Sequence, residues 1–197
     1  GKPHLLVLRG LLGPQIRGAS DPDSRGEHGS ANIRTMSPAD LDFAAACTEA
    51  VGWGAQRGEF ELFYAHDPQG CLVAETADPG VGADRSVSAD PGTRADLGVS
   101  ADPGMRAGPR LGICIATPYD GCGFIGMLIV VPQARGRGVG RRLMERSIGY
   151  LHGRGAHTIG LDGVLAAVPL YERLGFRKQC RSLRFSGVLR GQGHAHV

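Results

Sequence analysis

Long apolar runs and paired cysteines are both missing from this sequence. No apolar run approaches the roughly 18 residues that a membrane-spanning helix needs. The amino-terminal stretch HLLVLRGLLG is interrupted by an arginine and precedes no small-residue cleavage site, so it does not predict a signal peptide. The five cysteines are scattered and never form a C-x-x-C pair, which argues against a disulfide framework or a zinc site. We therefore expect a cytoplasmic protein that associates with no membrane and binds no metal.

Aromatic residues are scarce, and their distribution divides the chain. They make up 6% of the sequence and are absent from residues 1–32 and 77–112. These two segments instead hold 13 of the 32 glycines and 7 of the 12 prolines. Segments of this composition cannot bury enough apolar surface to fold by themselves. We expect a flexible amino-terminal segment at 1–32, one globular domain at 33–187 and a flexible tail at 188–197.

Residues 77–112 consist of three copies of a 12-residue unit, each beginning with Ala-Asp-Pro-Gly. The sequence Asp-Pro-Gly is typical of a turn. A stack of calcium-binding repeats would need an apolar residue in every turn and more aspartate and glycine than these units contain. A loop inserted into the domain is the simpler interpretation, because doubling the length of a surface loop costs only about 0.6 kcal/mol.

The rest of the sequence predicts alternating strands and helices. Ser37-Pro38 is typical of a helix start. The run FIGMLIVV at 124–131 is almost continuously apolar, which predicts a central strand with both faces covered. A helix with one apolar face follows from about 138 to 152. The predicted order of elements is β-α-α-β-β-β-α-β-α-β-β, which places the domain in the α/β (α+β) class.

The segment LIVVPQARGRGVGRR at 128–142 carries the clearest chemical signal. An apolar strand runs into a glycine-rich turn and then into a helix. Glycines let a ligand approach the backbone closely, and the unpaired N–H groups and dipole of a helix start favour an anion such as phosphate. Residues 133–154 contain six arginines and one acid, Glu145, so a polyphosphate would be well held.

Two common phosphate-binding motifs do not fit this segment. A Walker loop requires a Gly-Lys pair, which the segment lacks. The dinucleotide-binding motif G-x-G-x-x-G fails because the glycine after Gly136 and Gly138 is Gly140, one position too early.

The segment instead resembles the pyrophosphate-binding motif of the GNAT N-acetyltransferase superfamily, (Gln/Arg)-x-x-Gly-x-(Gly/Ala), which Gln133, Gly136 and Gly138 match. A second hallmark of that superfamily, L-Y-x-x-x-G-F, resembles residues 170–176, LYERLGF. The two motifs occur in the family's order, with one predicted helix and one predicted strand between them. The resemblance is clear from 124 to 176.

The resemblance implies a fold and a cosubstrate. The fold is a mixed, mostly antiparallel central sheet flanked by helices, in which the strand at 124–131 splays from its neighbour. The cosubstrate is acetyl-CoA, whose pantetheine arm contacts the backbone of the central strand and whose pyrophosphate contacts the turn. The residues expected to bind it are Leu128, Ile129, Val130, Gln133, Arg135, Gly136, Arg137, Gly138, Val139, Gly140 and Arg141.

The resemblance also implies direct transfer of the acetyl group to a primary amine in a ternary complex. Tyr171 matches the tyrosine that protonates the departing thiolate in the family, although a tyrosine in such a helix can also serve only in packing. Residues 124–128 contain no carboxylate to act as general base. Asp162 is a candidate for that role, with turn capping before Gly163 as an equal alternative. A water molecule is another candidate.

The acceptor implied by the resemblance is the amine of a small molecule or a peptide. Trp53 and Met127 are the candidate acceptor contacts. Trp53 lies between Gly52 and Gly54 and is difficult to place in a regular helix. We expect a monomer or homodimer with no nucleic-acid partner.

Two other functions stay open. The missing strand carboxylate, and GVLAAV at 163–168 where the family often has an asparagine, favour a non-catalytic acyl-CoA-binding or regulatory module. An arginine-rich nucleic-acid binder using 135–154 would bind DNA or RNA with a steep salt dependence.

Overall fold

The computed structural model describes residues 5–11, 31–76 and 108–182. In these ranges the chain forms seven strands and four α-helices. The strands are β1 (Leu5–Leu11), β2 (Ala31–Thr35), β3 (Cys71–Thr76), β4 (Arg110–Pro118), β5 (Cys122–Val130), β6 (Thr158–Val164) and β7 (Arg177–Ser182). The helices are α1 (Leu41–Ala50), α2 (Arg57–His66), α3 (Val139–Gly153) and α4 (Val168–Arg173). None of the helices in these ranges has the length and apolar character to cross a membrane.

All seven strands lie in one sheet with the order β2-β3-β4-β5-β6-β1-β7. Each neighbouring pair is antiparallel except β5 and β6, which are parallel. The prediction of a mixed, mostly antiparallel sheet flanked by helices is therefore confirmed.

Helices cover both faces of the sheet, because successive side chains of a strand point to opposite faces. One core cluster joins Leu72 and Ala74 of β3 to α3 and α4, and the other joins Cys71 and Val73 to α1 and α2. Each fully buried aliphatic side chain contributes about 1.5–3 kcal/mol. The predicted apolar face of α3 is buried throughout and consists of Val139, Leu143, Met144, Ile148 and Leu151.

Strand β5 is central, as predicted, but the expectation that both of its faces are covered is wrong. Phe124 remains 37% exposed, and Met127 and Leu128 are half-buried. Pairing with β6 is limited to 122–125 of β5 opposite 158–161 of β6. Beyond this point no backbone pair joins the two strands in the described structure. The apolar side chains at this end of β5 therefore line a cavity.

The prediction that residues 1–32 lie outside the folded domain is wrong for Leu5–Leu11. This segment forms β1, which pairs with β6 at seven positions and with β7 at five. Pairing on both edges satisfies backbone groups that a short apolar segment could not bury alone. The insertion is also shorter than the predicted 77–112, because β4 begins at Arg110. Ala31 and Asn32, also predicted to be flexible, begin β2. The other predicted flexible residues, at 1–4, 12–30, 77–107 and 188–197, lie outside the described ranges.

A buried carboxylate ties the start of α1 to three strands at the base of the insertion. Asp40 is fully buried and accepts hydrogen bonds from Arg34, Arg110 and Ser37. Arg34 also donates to Glu75 at 2.9 Å, so the network joins β2, β3 and β4. Burial alone would raise the pKa of Asp40. The hydrogen bonds from Arg34, Ser37 and Arg110 outweigh burial and hold that pKa well below its usual range.

Candidate active site

A cavity of about 400 Å³ opens where β5 and β6 stop pairing. The last pair is Ile125 with Leu161, and both residues line the cavity. Further lining comes from the first turns of α3, from α4 and from the connection between α1 and α2. A volume of this size is typical of a small-molecule site.

Two left-handed glycines shape the turn between β5 and α3. Gly136 and Gly138 have φ values of 75° and 76°, a region that residues with a side chain rarely adopt. Within the described ranges, the backbone N–H groups of 136–140 have no backbone acceptor. These groups and the start of the 15-residue helix α3 form an arrangement that favours anions. Exposed Arg137 and Arg142 add positive charge beside the turn.

One wall of the cavity is the edge of β5 that β6 leaves unpaired. Leu128, Ile129 and Val130 line this wall, and β4 holds the other edge of the strand. Backbone groups on an unpaired strand edge need another partner, which a ligand can supply. Arg135 already uses one of them, because its Nε donates to the carbonyl oxygen of Val130 at 3.0 Å.

A β-bulge lies in the middle of the same wall. The register between β4 and β5 shifts between Ile113 and Ile115, which leaves β5 with one extra residue. Met127, at this position, has φ of 50° and is the only residue other than glycine in the described ranges with a positive φ. Such a backbone conformation costs of order 1–3 kcal/mol and clusters at functional sites. Met127 lines the cavity.

Tyr171 reaches the cavity from α4. The residue is 5% exposed, and its ring makes an edge contact with Phe176 at 6.4 Å between centroids. Its hydroxyl has no hydrogen-bond partner among the described residues. Burial raises the pKa of Tyr171 to about 12. The hydroxyl is therefore protonated at neutral pH, and burial makes it a weaker acid than a free tyrosine.

Asp162 is the one carboxylate among the described residues that line the cavity. It is exposed and lies one position beyond Leu161, the last residue of β6 that pairs with β5. Among the described residues, no hydrogen bond or ion pair engages its side chain. The turn-capping alternative is wrong, because β6 continues to Val164 and Asp162 is therefore inside a strand.

Trp53 approaches the cavity from the connection between α1 and α2. Gly52 and Gly54 on either side have φ values of 72° and 67°, so the chain reverses around the tryptophan. The backbone N–H of Trp53 donates to the carbonyl oxygen of Thr48 at 2.9 Å. The indole is half-buried and lines the cavity together with Val51.

The side chains predicted for catalysis and for acceptor binding all line this one cavity, and they are Trp53, Met127, Asp162 and Tyr171. Five of the predicted cosubstrate-binding residues also line it, namely Leu128, Ile129, Val130, Arg135 and Gly140. The other six lie outside the lining, in the turn and at the start of α3: Gln133, Gly136, Arg137, Gly138, Val139 and Arg141. The side chain of Val139 is buried in the core, which leaves only its backbone to face a ligand.

Sequence reasoning missed the small residues that follow β6. Ala166 and Ala167 belong to a short 3-10 turn between β6 and α4, and both line the cavity. Leu170, next to Tyr171, does so as well. These residues match no chemical motif, and only their position before the LYERLGF segment could have indicated a role.

Two comparisons by sequence agree with this geometry. The profile of the acetyltransferase (GNAT) family matches residues 108–176, which run from β4 to α4 and include both motifs. N-alpha-acetyltransferase 30 of Schizosaccharomyces pombe is 38% identical over 66 residues, which is 32% of this chain and 44% of the yeast protein. The chain therefore matches less than half the length of this curated relative.

Solved structures share the fold. A GCN5-related N-acetyltransferase from Sphaerobacter thermophilus has a TM-score of 0.55 at 22% identity, covering 91% of this chain and 50% of that one. For Ard1 from Thermoplasma volcanium the TM-score is 0.53 at 14% identity, with 74% and 81% covered. A glucosamine N-acetyltransferase region of a fungal multi-domain enzyme reaches 0.62 at 15% identity, with 92% and 20% covered. At these identities the structures establish the fold alone, and residues 108–176, which include both motifs, are similar in sequence to the acetyltransferase (GNAT) family.

Proposed function

We propose that this domain transfers an acetyl group from acetyl-CoA to a primary amine by direct attack in a ternary complex. The observation that carries the proposal is the shared cavity. A protonated Tyr171, a carboxylate at Asp162 and the unpaired edge of β5 meet there, next to a turn that favours anions.

The residues present fit acetyl-CoA. The turn at 136–140 offers backbone N–H groups to the diphosphate, and the edge of β5 from Leu128 to Val130 offers backbone groups to the amide-containing arm. The Val130 carbonyl accepts a hydrogen bond from Arg135, so a ligand that bonds to the same oxygen uses its second lone pair or replaces the guanidinium. When bound, acetyl-CoA supplies an acetyl group activated as a thioester.

Each side chain in the cavity has a chemical role in this proposal. Tyr171 holds a proton at its hydroxyl and delivers it to the leaving thiolate. Asp162 attracts the ammonium form of the acceptor and takes up one proton, which frees the amine to attack the thioester carbon and later passes to water. As the carbon–sulfur bond breaks, a second proton lost by the nitrogen replaces the one that Tyr171 gives to the thiolate. Backbone N–H groups beside the Met127 bulge stabilise negative charge on the reacting carbonyl. The apolar walls limit water, which strengthens these electrostatic interactions.

The acceptor is an amine that carries an apolar group close to its nitrogen. Asp162 provides the charge that selects an ammonium, and Trp53 and Met127 provide apolar contact area. The yeast relative is named as an N-alpha-acetyltransferase, which supports a peptide amino terminus as the first acceptor to test.

Release of free CoA thiol from acetyl-CoA tests the proposal. The acceptor panel contains peptide amino termini, polyamines, aminoglycosides and amino acids, and we expect transfer to peptides with an apolar first residue. Binding of acetyl-CoA without transfer to any of these amines would identify a non-catalytic acyl-CoA-binding module. Salt-dependent binding to DNA or RNA that acetyl-CoA does not displace would favour the nucleic-acid alternative.

A further inference from the structure

Strand β1 occupies an unexpected place for the first strand of the chain. It lies between β6 and β7, whereas β2, the next strand along the chain, lies at the opposite edge of the sheet. Within the described sheet, β6 and β7 do not pair with each other. Each pairs with β1 instead, so β1 is the strand that joins them.

Beside the cavity, β1 is the sole sheet neighbour of β6 in the described structure. The pairing of β6 with β5 ends at Leu161. Beyond that residue, Asp162 pairs with Val7 of β1, and Val164 pairs with Leu5. Since Asp162 and Val164 line the cavity, β1 supports this wall from the side away from β5.

The same strand also pairs with the strands on either side of the helix that carries Tyr171. Helix α4 connects β6 to β7 along the chain. Because both of those strands are held by β1, the two ends of the β6–α4–β7 segment are fixed through it. The position of Tyr171 relative to Asp162 therefore depends on a strand from the other end of the chain.

We propose that β1 is a positioning element of the active site, which holds Asp162 and the Tyr171 helix in their relative places by pairing with β6 and β7. Its effect on turnover rests on the proposed acetyl transfer, whereas its effect on the backbone of β6 does not. Loss of β1 would leave the segment from Asp162 to Val164 without a strand on either edge.

The connection between β1 and β2 is long enough for both strands to come from one chain. The two strands run in the same direction and are five strand spacings apart, which is about 24 Å at roughly 4.8 Å each. Residues 12–30 connect them, and 19 residues at about 3.3 Å each can span roughly 60 Å. We therefore expect β1 to support the site of its own chain.

The variant Val7→Pro in the full chain tests the positioning role, with Val7→Ala as its matched control. Both edges of β1 are paired, so a proline removes one backbone hydrogen bond that alanine keeps. We expect amide exchange at 162–164 to rise at least tenfold and kcat to fall at least tenfold, with the Kd for acetyl-CoA changed less than threefold. Unchanged exchange at 162–164 in folded Val7→Pro overturns the proposal.

A second variant keeps the proposal testable if the proline prevents folding. Val7 is the register partner of Cys180, whose side chain is exposed. We expect Val7→Cys to form a disulfide with Cys180 within one chain on mild oxidation and to retain its exchange protection and activity. Val7→Cys combined with Cys180→Ser is the control. Failure to cross-link, or a cross-link between two chains, overturns the arrangement.

The two proposals fail in different ways. If the wild-type protein transfers acetyl to no amine, the proposed function fails. Increased amide exchange at 162–164 in Val7→Pro would still support the positioning role of β1. Normal activity of Val7→Pro with unchanged exchange would instead leave the proposed function intact and remove the role of β1.

Discussion

Two groups of polar side chains in this protein contrast sharply in how they are partnered. Around Asp40, the carboxylate accepts hydrogen bonds from two arginines and from Ser37. In the cavity, the Tyr171 hydroxyl and the Asp162 carboxylate have no partner among the described residues. Burying the Tyr171 hydroxyl without a partner costs stability, whereas the exposed Asp162 carboxylate is open to water. The Asp40 group therefore serves the fold, and the cavity pair is the one that the proposed function assigns to a ligand.

The two groups also have shifted pKa values for different physical reasons. The pKa of Asp40 is low because guanidinium groups and a serine stabilise its charged form more than burial opposes it. The pKa of Tyr171 is raised to about 12 by burial, without a hydrogen bond from the described residues. A shifted pKa at a cavity is a reason to propose a functional site, and of these two groups Tyr171 is the one that lines the cavity.

Replacing Tyr171 by phenylalanine gives the largest expected effect. The ring keeps its contact with Phe176, but the proton donor is lost. We expect kcat for acetyl transfer to fall about 10²–10⁴-fold, which is the usual contribution of a general acid. The Kd for acetyl-CoA, measured by calorimetry, should change less than threefold. An unchanged kcat for every acceptor would show that Tyr171 serves only in packing.

Removing the Asp40 carboxylate should act on stability instead of chemistry. Asp40→Ala removes the buried carboxylate shared by two partly buried arginines, which costs up to about 3–5 kcal/mol of unfolding free energy. Asp42→Ala is the matched control, because Asp42 pairs with Arg57 while 75% exposed and should lose about 0–1 kcal/mol. Urea denaturation measures both. Similar losses in the two variants would contradict a buried structural role for Asp40.

Low pH should remove the stability that the Asp40 network contributes. A carboxyl whose pKa is lower in the folded protein than in the unfolded chain adds stability above its unfolded pKa of about 4, and this stability disappears as pH falls below that value. One such group changes the unfolding free energy by at most about 1.4 kcal/mol per pH unit. Denaturation between pH 7 and pH 3 should therefore show a steeper decline for the wild type than for Asp40→Asn.

Replacing Gly138 by alanine should weaken acetyl-CoA binding, by a smaller factor than the fall in kcat expected for Tyr171→Phe. The φ of 76° costs an alanine roughly 1–2 kcal/mol, because left-handed backbone crowds the Cβ atom. We expect the Kd for acetyl-CoA to rise about tenfold as the turn relaxes. Gly149→Ala is the control, since Gly149 lies in α3 and its added Cβ meets nothing within 4 Å. If the two variants bind acetyl-CoA with equal affinity, the turn does not contribute to binding.

The sequence predicted features formed by neighbouring residues better than features that join residues far apart in the chain. The apolar face of α3 and the turn before it follow from residues close together in the chain, so spacing alone indicates them. Strand β1 escaped prediction because its seven residues lie among glycines and prolines and its partners are near the other end of the chain. Tyr171 and the glycine-rich turn were indicated by two motifs, and Trp53 by the glycines on either side of it. The cavity itself depends on where β5 stops pairing with β6 and on the bulge at Met127, which no sequence pattern specifies.

Shortening the insertion should change acetyl-CoA binding the least and so tests whether the Asp40 region is purely structural. The backbone N–H of Thr76 donates to the carbonyl oxygen of Pro109 at 3.1 Å, so the ends of β3 and β4 are adjacent. A linker of about four residues can therefore replace 77–107, and three halvings of loop length favour the folded state by about 2 kcal/mol. The Kd for acetyl-CoA should stay within twofold, because neither Thr76 nor Pro109 lines the cavity. A clear loss of affinity would make the insertion part of the site, and the Asp40 network would then have a functional role in positioning it.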